Sequence, residues 1–406
     1  MKILQLCSKP PLPLLDGGCI AMHNISKGLM RADISIKILT ISTDKHPFKI
    51  ESYPKDFLDK SKIENIFVDT NVNIIGVIKS LFSSKSYNVD RFYSTHFEKK
   101  LIEILQDVRY DIVLLEGLYM TPYIKAIREN TSAKISLRAH NVEHLIWNQL
   151  AHGQTNPFKR FYFNILAKKL KKYEIQALKS VDSILPISNE DRDRMQHFGC
   201  NIPTHTVPFG VDISDYQFCD LPIKKPIKLF HIGALNWQPN KEGVEFFIEK
   251  IWPKLSHLPV EMHLAGRNIP DSILKKATPK LIIHGEVANA VAFMNENDIM
   301  LVPLQTGSGM RIKIIEAMAM GKIVIATPIG AEGISVEHKK NILLAKNELE
   351  FIDTIEFCIS NFDKIEIIRT SARKLIEDEY SNNHIIGNLI AFLSEMIGTK
   401  KNNIQE

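Results

Sequence analysis

Ile299-Met-Leu-Val-Pro303-Leu-Gln-Thr-Gly307-Ser308-Gly309-Met310-Arg311-Ile-Lys-Ile-Ile-Glu316-Ala-Met-Ala-Met-Gly321-Lys-Ile-Val-Ile-Ala-Thr327 contains the pattern that repeats along the chain. A short β-branched run gives way to a glycine-containing loop. An amphipathic stretch of helical period follows, then a glycine, then a second β-branched run. Near-continuous apolar runs suit strands buried on both faces of a parallel sheet, and the helix between them is the right-handed crossover that joins parallel neighbours. Gly321 stands where a helix C-cap is expected. In the loop, small residues allow close backbone approach. The following helix N-terminus offers unpaired N–H groups and a positive dipole end, which together fit a diphosphate. Arg311 in the first turn opposes that dipole and is better explained by a bound anion. The same glycines would also serve an ordinary βα turn. The absence of a third glycine, and the distance from the first strand, disfavour a dinucleotide fingerprint and a dehydrogenase.

Working outward, the same alternation predicts strands at 2–7, 34–40, 111–115, 134–139 and 183–187 in the first half. In the second half it predicts them at 228–232, 260–265, 280–284, 299–303 and 322–327. Ten strands with intervening helices make an α/β chain of two doubly wound sheets, each of ordinary domain size. Pro203, Pro208, Gly210, Pro222 and Pro226 punctuate the joint between them. The expected organisation is 1–205, 206–382, a helix over 383–397 crossing back to the first domain, and a fraying polar tail at 398–406. In open α/β sheets ligands bind beyond the carboxyl ends of the strands, so the loops that follow strands hold the candidate residues.

Composition narrows the classes. A chain of 406 residues, 45% hydrophobic and 24% charged, is neither a disordered segment nor a small disulfide module. A net charge of +5 from 51 basic and 46 acidic residues is too slight for a nucleic-acid partner. The five cysteines show no metal-ligand spacing and read as reduced thiols of a cytosolic protein. The run at Met1–Cys7 is too short for a signal peptide, and no apolar run reaches the length of a membrane span. No metal or cofactor is expected.

Six segments, in order, resemble glycosyltransferase family 4, the retaining nucleotide-sugar transferases of GT-B fold. They are Arg138-Ala-His140-Asn-Val-Glu143, Leu185-Pro-Ile-Ser-Asn-Glu190, Val207-Pro-Phe-Gly-Val-Asp212, Phe230-His-Ile-Gly233-Ala-Leu-Asn-Trp237-Gln-Pro-Asn-Lys241-Glu-Gly243, His284-Gly-Glu-Val287 and Gly309–Thr327. The resemblance implies two Rossmann-like domains facing a central cleft, with the donor in the second and the acceptor in the first. It implies that Gly233, Lys241 and Gly307, Ser308, Gly309, Met310 and Arg311 cradle the diphosphate, and that Glu316 holds the ribose. Val287 would line the base pocket, His140 would stand beside the reacting sugar, and Gly17 and Gly18 would border the acceptor. Two positions depart from the family pattern. Ser308 stands where a sugar-binding Glu is usual, and Ala234 where a base usually follows the loop glycine. Arg311 is the expected compensation for Ala234.

The implied activity is sugar transfer to a glycan or lipid-linked acceptor in surface polysaccharide or lipopolysaccharide synthesis. A nucleotide-sugar epimerase and a catalytically silent nucleotide-sugar binder are the alternatives. No carboxylate pair of glycosidase type stands out. Trp237 and Trp147 read as packing residues and Asp298 as a cap, while Arg138 and Glu143 either serve the site beside His140 or pair with each other. Lys159–Lys179 carries seven basic residues against one acid, a net of +6, so the rest of the chain carries −1. Phe163, Leu166, Leu170, Tyr173 and Ala177 form an apolar stripe beside these charges at helical spacing. Such a segment either docks on an anionic membrane at the inner face of the plasma membrane, or packs its stripe on its own sheet.

Overall fold

Ile112-Val-Leu-Leu-Glu116 is buried at every position, as a strand covered on both faces must be. In the computed structural model it is the fourth of twelve strands, in two sheets, among the described residues. The structure describes residues 1–71, 86–218, 224–255, 257–307 and 309–402, with side chains to 398. Two compact units emerge, Met1–Phe209 with Asn382–Glu406, and Gly210–Ser381.

In the first unit the strands are β1 (Lys2–Cys7), β2 (Ser35–Ser42), β3 (Glu64–Phe67), β4 (Ile112–Glu116), β5 (Lys134–Ala139) and β6 (Ser183–Pro186). They pair in parallel in the order β3-β2-β1-β4-β5-β6. The second unit holds β7 (Ile227–Ile232), β8 (Val260–Ala265), β9 (Leu281–Gly285), β10 (Ile299–Val302), β11 (Ile323–Ala326) and β12 (Leu343–Leu344). Their order, β12-β11-β10-β7-β8-β9, is the same winding read from the other edge. Both sheets therefore have Rossmann topology, with strand order reversing between β1 and β4 and between β7 and β10. The edge strands β3 and β12 escape the sequence pattern: one is only half-buried and the other is two residues long. β10 stops at Val302 rather than Pro303, because proline has no N–H for the ladder.

The helices used below are α1 (Gly17–Arg31), α2 (Glu143–His152), α3 (Pro157–Leu178), α4 (Ile312–Ala319), α5 (Phe362–Glu379) and α6 (Asn382–Asn402). Alternation along the strands splits the first unit's core in two. Leu4, Leu6, Val113, Leu115, Ile135 and Leu137 face one layer. Ile3, Ile38, Ile112 and Leu114 face the other, where Leu389 and Leu393 of α6 join them. α6 runs to Asn402, past the expected end at 397 and into the stretch expected to fray. The second unit closes on one cluster that includes Leu229, Phe247, Leu264, Leu301, Ile325 and Phe351.

Candidate functional site

In the first unit the carboxyl ends of β4 and β5 converge on one buried carboxylate. Glu116 is the last residue of β4, fully buried, and pairs in register with Arg138 of β5. The strand period of two puts Arg138 and His140 on the same face. Glu116 Oε2 accepts from His140 Nε2 at 2.7 Å and from Arg138 Nη1 at 3.3 Å, while Oε1 accepts from Gln5 Nε2 at 2.8 Å. Burial by itself would raise the Glu116 pKa; the Arg138 charge and the His140 and Gln5 hydrogen bonds overturn that and hold it below the carboxylate range. Burial also lowers His140, with Glu116 partly opposing. His140 is then a neutral imidazole that donates Nε2–H to Glu116, leaving Nδ1 as the acceptor nitrogen. An acceptor held at a strand's carboxyl end can take a hydrogen bond from a sugar hydroxyl. Glu116 was missed by the sequence reading, which ended its strand at Leu115; a charge closing an apolar run before Gly117 was the available signal.

Of the two alternatives for Arg138 and Glu143, pairing with each other is not the one found. Arg138 lies over Phe209, 5.6 Å from the ring centroid, and Glu143 accepts from Tyr119 Oη at 2.8 Å. The start of α2, three residues past His140, is held by α3: Glu174 accepts from the N–H of Glu143 at 2.9 Å, from that of His144 at 3.2 Å, and from His144 Nδ1 at 2.6 Å. Gly17 and Gly18 open α1, whose N-cap Asp16 accepts from the Cys19 N–H at 3.0 Å. Asp16, Cys19 and His46 bring one donor atom each within 4.8 Å of one another. Lys9 Nζ already lies 2.7 Å from both Asp16 oxygens, and burial lifts the Cys19 thiol to about 11, so an ammonium supplies the positive charge there.

In the second unit the candidates follow β7, β9 and β10. The Gly233–Ala234 turn after β7 is tied by Asn240 Nδ2 donating to the Ala234 carbonyl at 3.0 Å. Lys241 lies in the first turn of the helix Gln238–Phe246, half-exposed and 3.9 Å from Glu245. Val287 is half-buried in the loop after β9. After β10, Gly307 and Gly309 take φ of +107° and +90°, backbone that side-chain-bearing residues avoid. Ser308 lies outside the described residues, and Met310 is buried. α4 begins at Ile312, and Arg311, expected in the first turn, is still extended at the N-cap position. The Arg311 guanidinium donates to the Gly309 carbonyl and stacks 4.8 Å from the Trp237 ring centroid; burial pushes its pKa down to about 10. Trp237 is 39% exposed, so it is a cation platform rather than core packing.

Glu316, one turn into α4 and buried, accepts from Tyr216 Oη at 3.1 Å and Lys313 Nζ at 2.6 Å. Lys313 was legible from its i,i+3 spacing; Tyr216, a hundred residues earlier, was not. Gly321 ends the helix at φ +69°, as expected. Asp298 caps a strand: its carboxylate accepts from the Lys228 N–H at 2.9 Å and ties β7 to β10. The second unit thus presents a cation and a carboxylate on the loop and first turns beyond β10, beside its switch point.

Residues 226–361 match the family model described as glycosyl transferases group 1. A full-length relative is an "uncharacterized 44.6 kDa protein in cps region" of Klebsiella pneumoniae, 25% identical over 96% of this chain and 98% of its own. Among solved structures, sucrose-phosphate synthase from Thermosynechococcus elongatus superposes with a TM-score of 0.72 at 12% identity, over 98% of this chain and 100% of that one. Anabaena Alr3699/HepE in complex with UDP does so with 0.67 at 16% identity, over 97% and 100%. The fold is that of the GT-B glycosyltransferases, with two Rossmann-like domains. Together with the group 1 match, it supports a glycosyltransferase.

No helix among the described residues is long and apolar enough to cross a membrane.

Proposed function

We propose that this chain is a retaining glycosyltransferase that moves a hexose from a nucleotide-diphosphate donor to a glycan or lipid-linked acceptor. The observation that carries the reading is the pairing on one loop and helix of Arg311, held over Trp237, with the buried carboxylate of Glu316. Negative charge builds on the leaving diphosphate during transfer, and a fixed guanidinium beside backbone N–H groups stabilises it without reorganisation. Glu316 can accept from both ribose hydroxyls, since an ionised carboxylate offers two oxygens. His140 stands beside the reacting sugar and accepts a hydrogen bond from one of its hydroxyls. Gly17 and Gly18 border the acceptor, and no metal or cofactor takes part.

The UDP held by the HepE structure supports a nucleoside diphosphate as ligand class. The relative described as lying in a cps region supports a role in surface polysaccharide synthesis. An acceptor on a lipid carrier places the enzyme at the cytoplasmic face of an anionic membrane, with Lys159–Lys179 as its contact. Calorimetric titration with UDP, GDP, ADP, CDP and NAD, repeated on Glu316→Ala, tests the reading. Selective binding of one nucleoside diphosphate, lost in the variant, supports it; binding of NAD alone, or of none, refutes it.

A further inference from the structure

The two faces of α3 do opposite things. Leu166, Leu170 and Ala177 are buried, and Glu174 beside them is buried against His144, so the apolar stripe seen in the sequence packs inward. That consumes the stripe which the sequence offered for a membrane, and the helix's one acid with it. The outward face is different. Phe158, Phe161, Ile165, Lys168 and Lys172 succeed one another at three- and four-residue steps, and Lys179 follows seven residues later, two turns on, which keeps them on one side of a 3.6-residue helix. Phe158 is 85% exposed and Phe161 69% exposed, the two most exposed large apolar side chains among the described residues. Lys168, Lys172 and Lys179 are exposed too. A soluble helix has no use for two adjacent phenylalanines in water, and an aromatic pair followed by lysines is the order a bilayer boundary selects.

We propose that this outward face docks on an anionic phospholipid surface. Phe158 and Phe161 at the start of the helix enter the acyl boundary, and Lys168, Lys172 and Lys179 lie along the headgroups. Charge complementarity selects this occupant: Lys159–Lys179 carries seven cations, and its one acid is buried. The inference rests on the lipid-linked reading only for its purpose; docking itself requires neither donor nor acceptor. It also gives Glu174 a second meaning. The same helix that would meet the membrane holds the start of α2 just beyond His140, so a docked α3 fixes the acceptor-side loop at the surface.

The test is co-sedimentation of the full chain with vesicles of phosphatidylcholine alone and of phosphatidylcholine with phosphatidylglycerol, in low salt and at about 1 M salt, where the Debye length falls to roughly 3 Å. The wild type is expected to pellet with anionic vesicles in low salt, and with neither neutral vesicles nor anionic ones in high salt. Lys168→Gln with Lys172→Gln is expected to weaken partitioning by roughly 30-fold, the usual contribution of two surface cations. Phe158→Ser with Phe161→Ser is expected to abolish pelleting while leaving the melting temperature and nucleotide binding unchanged, because both rings are exposed. No binding to anionic vesicles, equal binding to neutral ones, or full binding by the Phe variant overturns the proposal. A concentration-dependent dimer in light scattering, lost in the Phe variant and unaccompanied by vesicle binding, assigns the face to a second copy and overturns it equally. Nucleotide binding is measured separately, so failure here leaves the transferase reading standing.

Discussion

Replacing Glu116 by Gln keeps the side chain's size and one acceptor oxygen and removes only its charge. The structure makes that charge expensive to lose. Glu116 is fully buried and Arg138 is 1% exposed, so the variant strands a guanidinium whose other hydrogen-bond partner is the Ala21 carbonyl at 3.3 Å. Breaking a buried pair from one side costs about 3–5 kcal/mol, against a total stability of roughly 5–15 kcal/mol for a domain. For a unit of this size each kcal/mol shifts the melting temperature by about 2–4 °C, so the fall should be roughly 6–20 °C. Scanning calorimetry of Glu116→Gln, Arg138→Met and Glu116→Leu with Arg138→Met at neutral pH reads this out. The double variant leaves no buried charge and should be less destabilised than the sum of the singles. A Glu116→Gln protein melting within about 2 °C of the wild type, or a double variant at or beyond that sum, would refute the reasoning.

Because the folded Glu116 pKa lies below its unfolded value, its stability contribution is complete above about pH 4.3 and is lost as pH falls through the folded value; urea midpoints from pH 7 to 3 should show this acid loss in the wild type and less of it in Glu116→Gln. Arg311→Ala should cost roughly 100-fold in turnover, whereas Lys241→Ala, half-exposed and facing Glu245, should stay within about five-fold; equal, small losses in steady-state assays would remove Arg311 from the phosphate site. Glu316→Ala should weaken nucleoside-diphosphate binding by roughly 10- to 150-fold, the worth of one or two charge-assisted hydrogen bonds, measured by calorimetry. A Cβ at Gly266 would sit 1.8 Å from the Gly233 carbonyl oxygen, so Gly266→Ala should lower both the melting temperature and nucleotide affinity by displacing the turn after β7.

Strand and helix positions were legible because they depend on local periodicity. Ile299–Val302 and Ile323–Ala326 are buried on both faces, and the apolar runs at 299–303 and 322–327 read as such. Gly321 ends its helix for a reason that one residue carries. The glycine loop, Arg311 and Glu316 were visible because they lie within twenty residues of one another. What sequence order could not show is which distant groups each residue answers to. Glu116 finds His140 and Arg138 because two parallel strands come into register, and finds Gln5 because β1 lies beside β4. Glu316 meets Tyr216 across a hundred residues, and Trp237 becomes a platform for Arg311 only once the loops after β7 and β10 stand side by side. α3 shows the division most clearly. Its sequence displays an apolar stripe and a set of charges, and periodicity alone assigns both to a helix. Which face is turned inward depends on the layer it packs against, and that packing buried the Leu166–Ala177 stripe and left Phe158 and Phe161 in solvent.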